Sequence, residues 1–190
     1  MKERMAKRLL RTAFHFSLFI FHFSFLSFLS CDNFSCPLNN TVESVYGFYA
    51  ASYDADGELI TGHAVSVGDT ITITALGTDS VLANKLIGQS SVSLPVSYFL
   101  GEDVLHFHYT DLQGRTADDT LWVTKHNQRH WDDPSCPVHM WHTITAARST
   151  HNLIDTILVV NPEVNYDGLE NIQIYFRTSQ DTDDETDDEE

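Results

Sequence analysis

The densest concentration of side chains able to do chemistry is HNQRHWDDPSCPVHMWH, residues 126–142, where His126, His130, His139 and His142 fall close to Asp132, Asp133 and Cys136. Imidazole, carboxylate and thiolate are the ligand types of a four-coordinate zinc ion, and imidazoles three or four positions apart meet on a helical turn. On a strand that spacing fails, because His139 and His142 point to opposite faces. Two expectations stand side by side. One is loop histidines around a structural cysteine, with no metal; the other is a divalent-metal site on the His126 to His142 segment, with a metal-dependent enzyme as the alternative function.

Two shorter constellations invite the same test. In and around YDADGELITGH, Ser52, Asp54, Asp56, Gly57, Glu58 and Leu59 could fill positions 1, 3, 5, 6, 7 and 8 of a calcium loop. The twelfth position, where a bidentate Glu is required, is His63, and strands replace the flanking helices, so a hairpin turn is expected. In RSTHN, Ser149 and His151 share a strand face as nucleophile and base would, yet no acid orients the imidazole and no oxyanion loop is visible. These polar side chains are expected to satisfy backbone groups where the chain enters a strand near Leu153. No catalytic residue and no cofactor is expected.

Such residues must be positioned by strands. DTITITAL sets Ile71, Ile73 and Ala75 against Thr70, Thr72 and Thr74, and VLHFHY sets Leu105, Phe107 and Tyr109 against Val104, His106 and His108. A period of two marks a sheet with one buried face. Further strands are expected at 42–51, 58–67, 80–86, 91–97, 117–124, 139–147, 152–160 and 170–178. Turn signals such as DADG, LGTD, DLQGR and NPEVNYDG separate them. About ten short strands without a sustained helical period predict an all-β fold, an antiparallel β-sandwich of immunoglobulin-like type. Pro95 should end its strand or confine it to an edge.

The N-terminus addresses the chain. Lys2, Arg4, Lys7, Arg8 and Arg11 face only Glu3, and residues 12–30 carry no charge, which is a basic region followed by an apolar one. The apolar run nearly suffices to span a bilayer, at ~1.5 Å per helical residue, but His15, His22 and several serines weaken it. No small residue stands three before a plausible cleavage point, so ordinary signal-peptidase cleavage is disfavoured. Phe28-Leu29-Ser30-Cys31 is similar to a relaxed lipobox, with Phe28 where Leu, Val or Ile is usual. The expectation is a lipoprotein signal peptide over 1–30 and lipidation of Cys31; an uncleaved anchor and soluble secretion stay open. A tether over 31–40 then leads to a sandwich domain at 41–179.

Three cysteines in an exported chain leave one over. With Cys31 acylated, Cys36 and Cys136 are expected to form a disulfide; two buried free thiols are the other outcome. A loop of about 100 residues corresponds to roughly 4.7 kcal/mol in the chain-entropy account. Formal charge is −16, and removing the +4 leader leaves −20. Residues 180–190 hold DTDDETDDEE, which contributes −8 and no apolar group, so a disordered acidic tail is expected. With six basic residues beyond the leader, nucleic acid is excluded as a partner.

One triplet recurs: Asp69-Thr70-Ile71, Asp79-Ser80-Val81, Asp119-Thr120-Leu121 and Asp155-Thr156-Ile157. It serves a turn followed by a strand, and it also resembles the O-glycosylation acceptor motif of exported Bacteroidetes proteins, which would place sugars on Thr70, Ser80, Thr120 and Thr156. Among the aromatics, Tyr46 and Phe48 read as core, while Tyr49, Tyr53, Trp131 and Trp141 could offer platforms to sugar rings or a protein.

The stretches CPLNNTVESVYGFYA, HNLIDTILVVNP and ENIQIYFRT, with Cys31, resemble a domain-of-unknown-function family of Bacteroidales cell-envelope lipoproteins. The resemblance covers most of the chain between leader and tail. It implies a β-rich envelope lipoprotein and brings no activity and no catalytic residue. The expected function is a noncatalytic binding or assembly module, joined to a membrane through lipid on Cys31. It would face the periplasm or the cell surface, with an envelope protein or a glycan as partner.

Overall fold

The computed structural model describes His15, Ser17, Cys36, 42–62, Ala64 and 70–177. Cys31, His63, the leader and the acidic tail lie outside the described residues, apart from His15 and Ser17 in the leader. Ten strands run in chain order: β1 Glu43–Ala50, β2 Thr70–Ala75, β3 Ser80–Leu86, β4 Ser91–Pro95, β5 Glu102–Thr110, β6 Thr116–His130, β7 His139–Ser149, β8 Ile154–Val159, β9 Glu163–Val164 and β10 Glu170–Phe176. Residues 42–62 and 70–177 contain no helix.

The strands form a four-stranded sheet, β4-β1-β10-β8, and a six-stranded sheet, β3-β2-β5-β6-β7-β9. Their apolar faces meet in one core. Tyr46, Phe48, Leu94, Ile154, Ile172 and Ile174 come from the first sheet, and Ile71, Ile73, Leu105, Phe107, Leu121, Val123 and Ile144 from the second. The alternation seen in the sequence is therefore the pleat of a half-buried sheet. The fold is an all-β sandwich whose pairing is antiparallel except where β1 runs parallel to β10. The immunoglobulin-like type expected from the sequence does not extend to the connectivity, because the strand orders are not the ABED and CFG sheets of that fold.

Pro95 ends β4, an edge strand, as its missing N–H requires. Three expectations need correction. β6 continues through Lys125 to His130, where the polar run HNQRH suggested a loop. Residues 58–62 and Ala64 form only the isolated bridges Tyr53 to Leu59 and Tyr49 to Ala64 in place of a strand. In exchange, the turn NPEVNYDG contains the two-residue β9, which seats Val164 in the core.

Candidate functional site

The strands divide the histidine segment. On β7, His142 faces the core and its Nδ1 lies 2.8 Å from Asn127 Oδ1, while His139 sits on the opposite face, directly across from His130 of β6. His126 is exposed on β6. Asp133 accepts the backbone N–H of Ser135 and its hydroxyl, bonds that hold the carboxyl below its ordinary range. Cys36 and Cys136 are both disulfide-bonded, which removes Cys136 from any ligand set. Of the seven residues, only His130, Asp132 and His139 come together. The two Nε2 atoms lie 3.3 and 3.2 Å from the two Asp132 oxygens. Among the described residues no group of three or more His, Cys, Asp or Glu side chains is placed to hold a metal ion.

Around this carboxylate the aromatics gather. The His130 ring lies flat on Trp141 at 3.6 Å, and Tyr166 presents its edge to both His139 and Trp141. Burial raises the Tyr166 hydroxyl pKa, and the neighbouring Asp132 and Tyr98 raise it further. Tyr98 donates to the carbonyl of Val138 and packs edge-on against Phe99. Three loops, 96–101, 131–138 and 165–169, thus meet at one end of the sandwich. Large apolar side chains project from them: Phe99 is 78% exposed, Trp131 54% and Tyr166 45%. His139 beneath is fully buried, and its Nε2, though near Asp132, is out of line for a hydrogen bond.

The loop bearing Tyr98, Phe99 and Leu100 is held from below. Lys125 points into the core, where Nζ donates to Ser97 Oγ at 2.9 Å and to the Leu100 carbonyl, 3.4 Å from Asp103 Oδ2. Asn127 Nδ2 donates to the same carbonyl at 3.0 Å, and the Lys125 backbone N–H to Gly101. Burial pulls the Lys125 pKa down and Asp103 opposes it. His142 beside them is lowered to about 4, by burial first and the Lys125 charge second. Lys125 was legible as an anomaly: it shares the inward face with Leu121 and Val123, where a lone ammonium requires partners.

The other motifs resolve into structure. Asp54 Oδ1 accepts the N–H groups of Asp56 and Glu58, the signature of a side-chain-supported turn. In RSTHN, Ser149 and His151 do not meet, and His151 Nδ1 contacts the Asp155 carbonyl. The backbone there is served by buried Asp119 of β6. Its carboxylate accepts Thr150 Oγ1, Asn152 N–H, Leu153 N–H and Ile154 N–H at 2.7, 2.7, 2.8 and 3.0 Å. The chain's entry into β8 is therefore organised by an acid 31 to 35 residues upstream together with the segment's own side chains, since Thr150 Oγ1 accepts the Thr120 N–H, Asn152 Nδ2 donates to the Asp118 carbonyl and His151 Nδ1 meets that of Asp155. Of the four glycosylation-like hydroxyls, Ser80 is exposed, and Thr70, Thr120 and Thr156 are half-buried. Tyr46 and Phe48 are core, and the exposed Tyr53 hydroxyl bonds to Asp155.

The model of a family of unknown function (DUF6452) matches residues 70–176, from β2 to the end of β10. The chain belongs to that family. Among curated proteins and among solved structures nothing matches it. The match begins after β1, yet β1 lies inside the four-stranded sheet between β4 and β10. The folded unit is thus larger than the matched segment. Asp119, Lys125, Asp132 and the aromatic loops all fall within the match.

Proposed function

We propose that this member of the DUF6452 family is a noncatalytic binding or assembly module of a Bacteroidales cell envelope. In this reading it is tethered through lipid on Cys31 and recognises an envelope glycan or protein with the aromatic end of its sandwich. The single observation that carries the reading is the end surface itself. Three loops present Phe99, Trp131 and Tyr166 to solvent, and the loop with Phe99 is clamped by the buried Lys125. Exposed aromatic rings on a rigid base supply contact area with little entropy to lose on binding. Asp132 beside them offers a hydrogen-bond acceptor to a sugar hydroxyl or a peptide N–H.

The test has two arms. Intact mass of the native protein is expected to report a chain starting at an acylated Cys31, and a mass starting at Met1 refutes the tether. In the second arm, the protein and a Phe99→Ser/Trp131→Ser variant are applied to envelope polysaccharide arrays and to cross-linking in envelope membranes. Saturable capture of one polysaccharide or one protein, lost in the variant, is the expected result. Equal behaviour of the two forms refutes the aromatic end as the recognition surface.

A further inference from the structure

Each sheet has an outer strand that is not hydrogen-bonded to the other sheet, β3 for the six-stranded sheet and β4 for the four-stranded one. Residues of both strands line a cavity of about 300 Å³ that reaches from the β2–β3 turn to the start of β5. Leu82 of β3, Val96 just beyond β4 and Leu105 of β5 give it apolar walls, and the exposed Leu76 and Leu100 extend the apolar lining toward solvent. Its polar groups are few and of one kind. Glu102 and Asp103 bring carboxylates and Ser80 and Ser97 hydroxyls, and no Lys, Arg or His among the described residues lines it. We propose that this cavity binds one small amphiphile, an apolar chain or ring of about ten non-hydrogen atoms that ends in a hydrogen-bond donor, an amine or an alcohol.

The volume sets the size of the ligand. An apolar cavity of about 150 Å³ takes up benzene, so one twice as large takes a molecule of roughly twice that bulk. The lining supplies the attraction, since each methylene moved out of water strengthens binding about fourfold. The wall is held in place before any ligand arrives. Lys125 Nζ donates to Ser97 Oγ and to the Leu100 carbonyl, and Asp103 Oδ2 accepts the Ser97 N–H at 3.3 Å. Such a buried pair is weak evidence of stability, but it fixes three of the lining residues, as a binding site requires. Charge sets the head group. Lys125 lies 3.4 Å from Asp103 and Arg148 lies 3.6 Å from Glu102, and neither cation lines the cavity. The lining thus offers acceptors to a donor and repels an anion, so an alkyl carboxylate of the same length is rejected. Neither Trp131 nor Tyr166 lines this cavity, which makes it a different site from the aromatic end.

The experiment is an NMR titration of the isotopically labelled native chain, in detergent-free buffer, with n-octylamine, n-octanol and sodium octanoate, each below its micelle-forming concentration. Saturable shifts at Leu76, Leu82, Leu100 and Leu105 are expected with the amine and the alcohol, and octanoate should bind at least about tenfold more weakly than the amine. Leu82→Trp, which fills the cavity from its wall, should abolish the shifts. Ser80→Trp should do the same from an exposed position, without disturbing the core, and circular dichroism confirms the strands of both variants. Glu102→Gln should narrow the gap between octylamine and octanoate at least about threefold. Absence of saturable shifts with all three probes, shifts centred on Trp131 and Tyr166, binding that survives both tryptophan variants, or octanoate bound as tightly as octylamine overturns the assignment.

Discussion

Replacing Asp119 by Ala should be among the most destabilising single changes in this protein. The buried carboxylate accepts one hydroxyl and three backbone N–H groups, all within 3.0 Å. Hydrogen bonds to a charged group contribute about 1.5–3 kcal/mol each, and an orphaned buried donor costs about 1–3 kcal/mol. The four share one acceptor and do not add, and removing the carboxylate also relieves its own desolvation. A net loss of about 4 kcal/mol is expected, a large part of the roughly 5–15 kcal/mol that holds a typical domain. Thr150→Val, which removes one of the four donors and an acceptor for the Thr120 N–H, should cost about 1 kcal/mol. Asp119→Asn should fall between, because its amide nitrogen faces donors where an acceptor is needed. Urea unfolding at pH 7 under oxidising conditions reads all three. Hydrogen exchange should show protection lost first at Asn152, Leu153 and Ile154. If Asp119→Ala costs no more than Thr150→Val, or if exchange at those amides is unchanged, the carboxylate is not what organises the turn into β8.

Acid should weaken the fold through His142. Its folded pKa of about 4 lies below an ordinary histidine value of about 6.5, so between those values the unfolded chain holds the extra proton. Stability then rises with pH across that window and is lost on acidification, by up to about 3 kcal/mol; His142→Gln should remove this component of the slope in urea midpoints from pH 7 to 4.5. Lys125→Met leaves the half-buried Asp103 without its cation and loses the bonds to Ser97 and Leu100. It should cost about 3 kcal/mol and mobilise the 96–101 loop, read as faster exchange at Tyr98 to Gly101. Cys136→Ser should lower stability by about 2–4 kcal/mol, an effect that dithiothreitol reproduces in the native protein and that adds nothing in the variant.

The sandwich was legible where a strand has one face in the core and one outside it, as β2 and β5 do. Period two survives in DTITITAL and VLHFHY for that reason. It failed in KHNQRH because the inward positions there, Lys125 and Asn127, are polar and serve the clamp on the loop above. Local hydropathy has no means of telling such a strand from a turn. β9 was hidden for another reason: two residues give no period, and only the apolar Val164 in a polar turn betrays it. In the histidine segment the opposite facing of His139 and His142 was legible from their spacing, whereas the meeting of His139 with His130 was not. Strand register carries His139 to His130 and turns His142 away. On the outer face of β5, His106 and His108 share a side by their spacing, but the Asp118 carboxylate that meets both, at 3.1 and 2.7 Å, is brought there only by the β5–β6 register. The role of Asp119 at Asn152 to Ile154 was invisible for the same reason.

The parallel pairing of β1 with β10 governs when this protein can fold. Val45 lies opposite Glu170 and Phe48 opposite Ile174, so the first strand finds that neighbour only after nearly the whole domain has been made. Its other neighbour, β4, is an edge strand that Pro95 keeps short. Closing such distant segments costs chain entropy before any contact rewards it, and sheets built this way form slowly. The six-stranded sheet, with its β5–β6–β7 hairpins, can assemble from local contacts as the chain emerges. The four-stranded sheet must wait for the last strand. A chain cut before Glu170 would leave β1 and β8 without the strand that joins them and would expose one face of the core. Completion of synthesis is thereby built into the topology as the condition for a closed molecule.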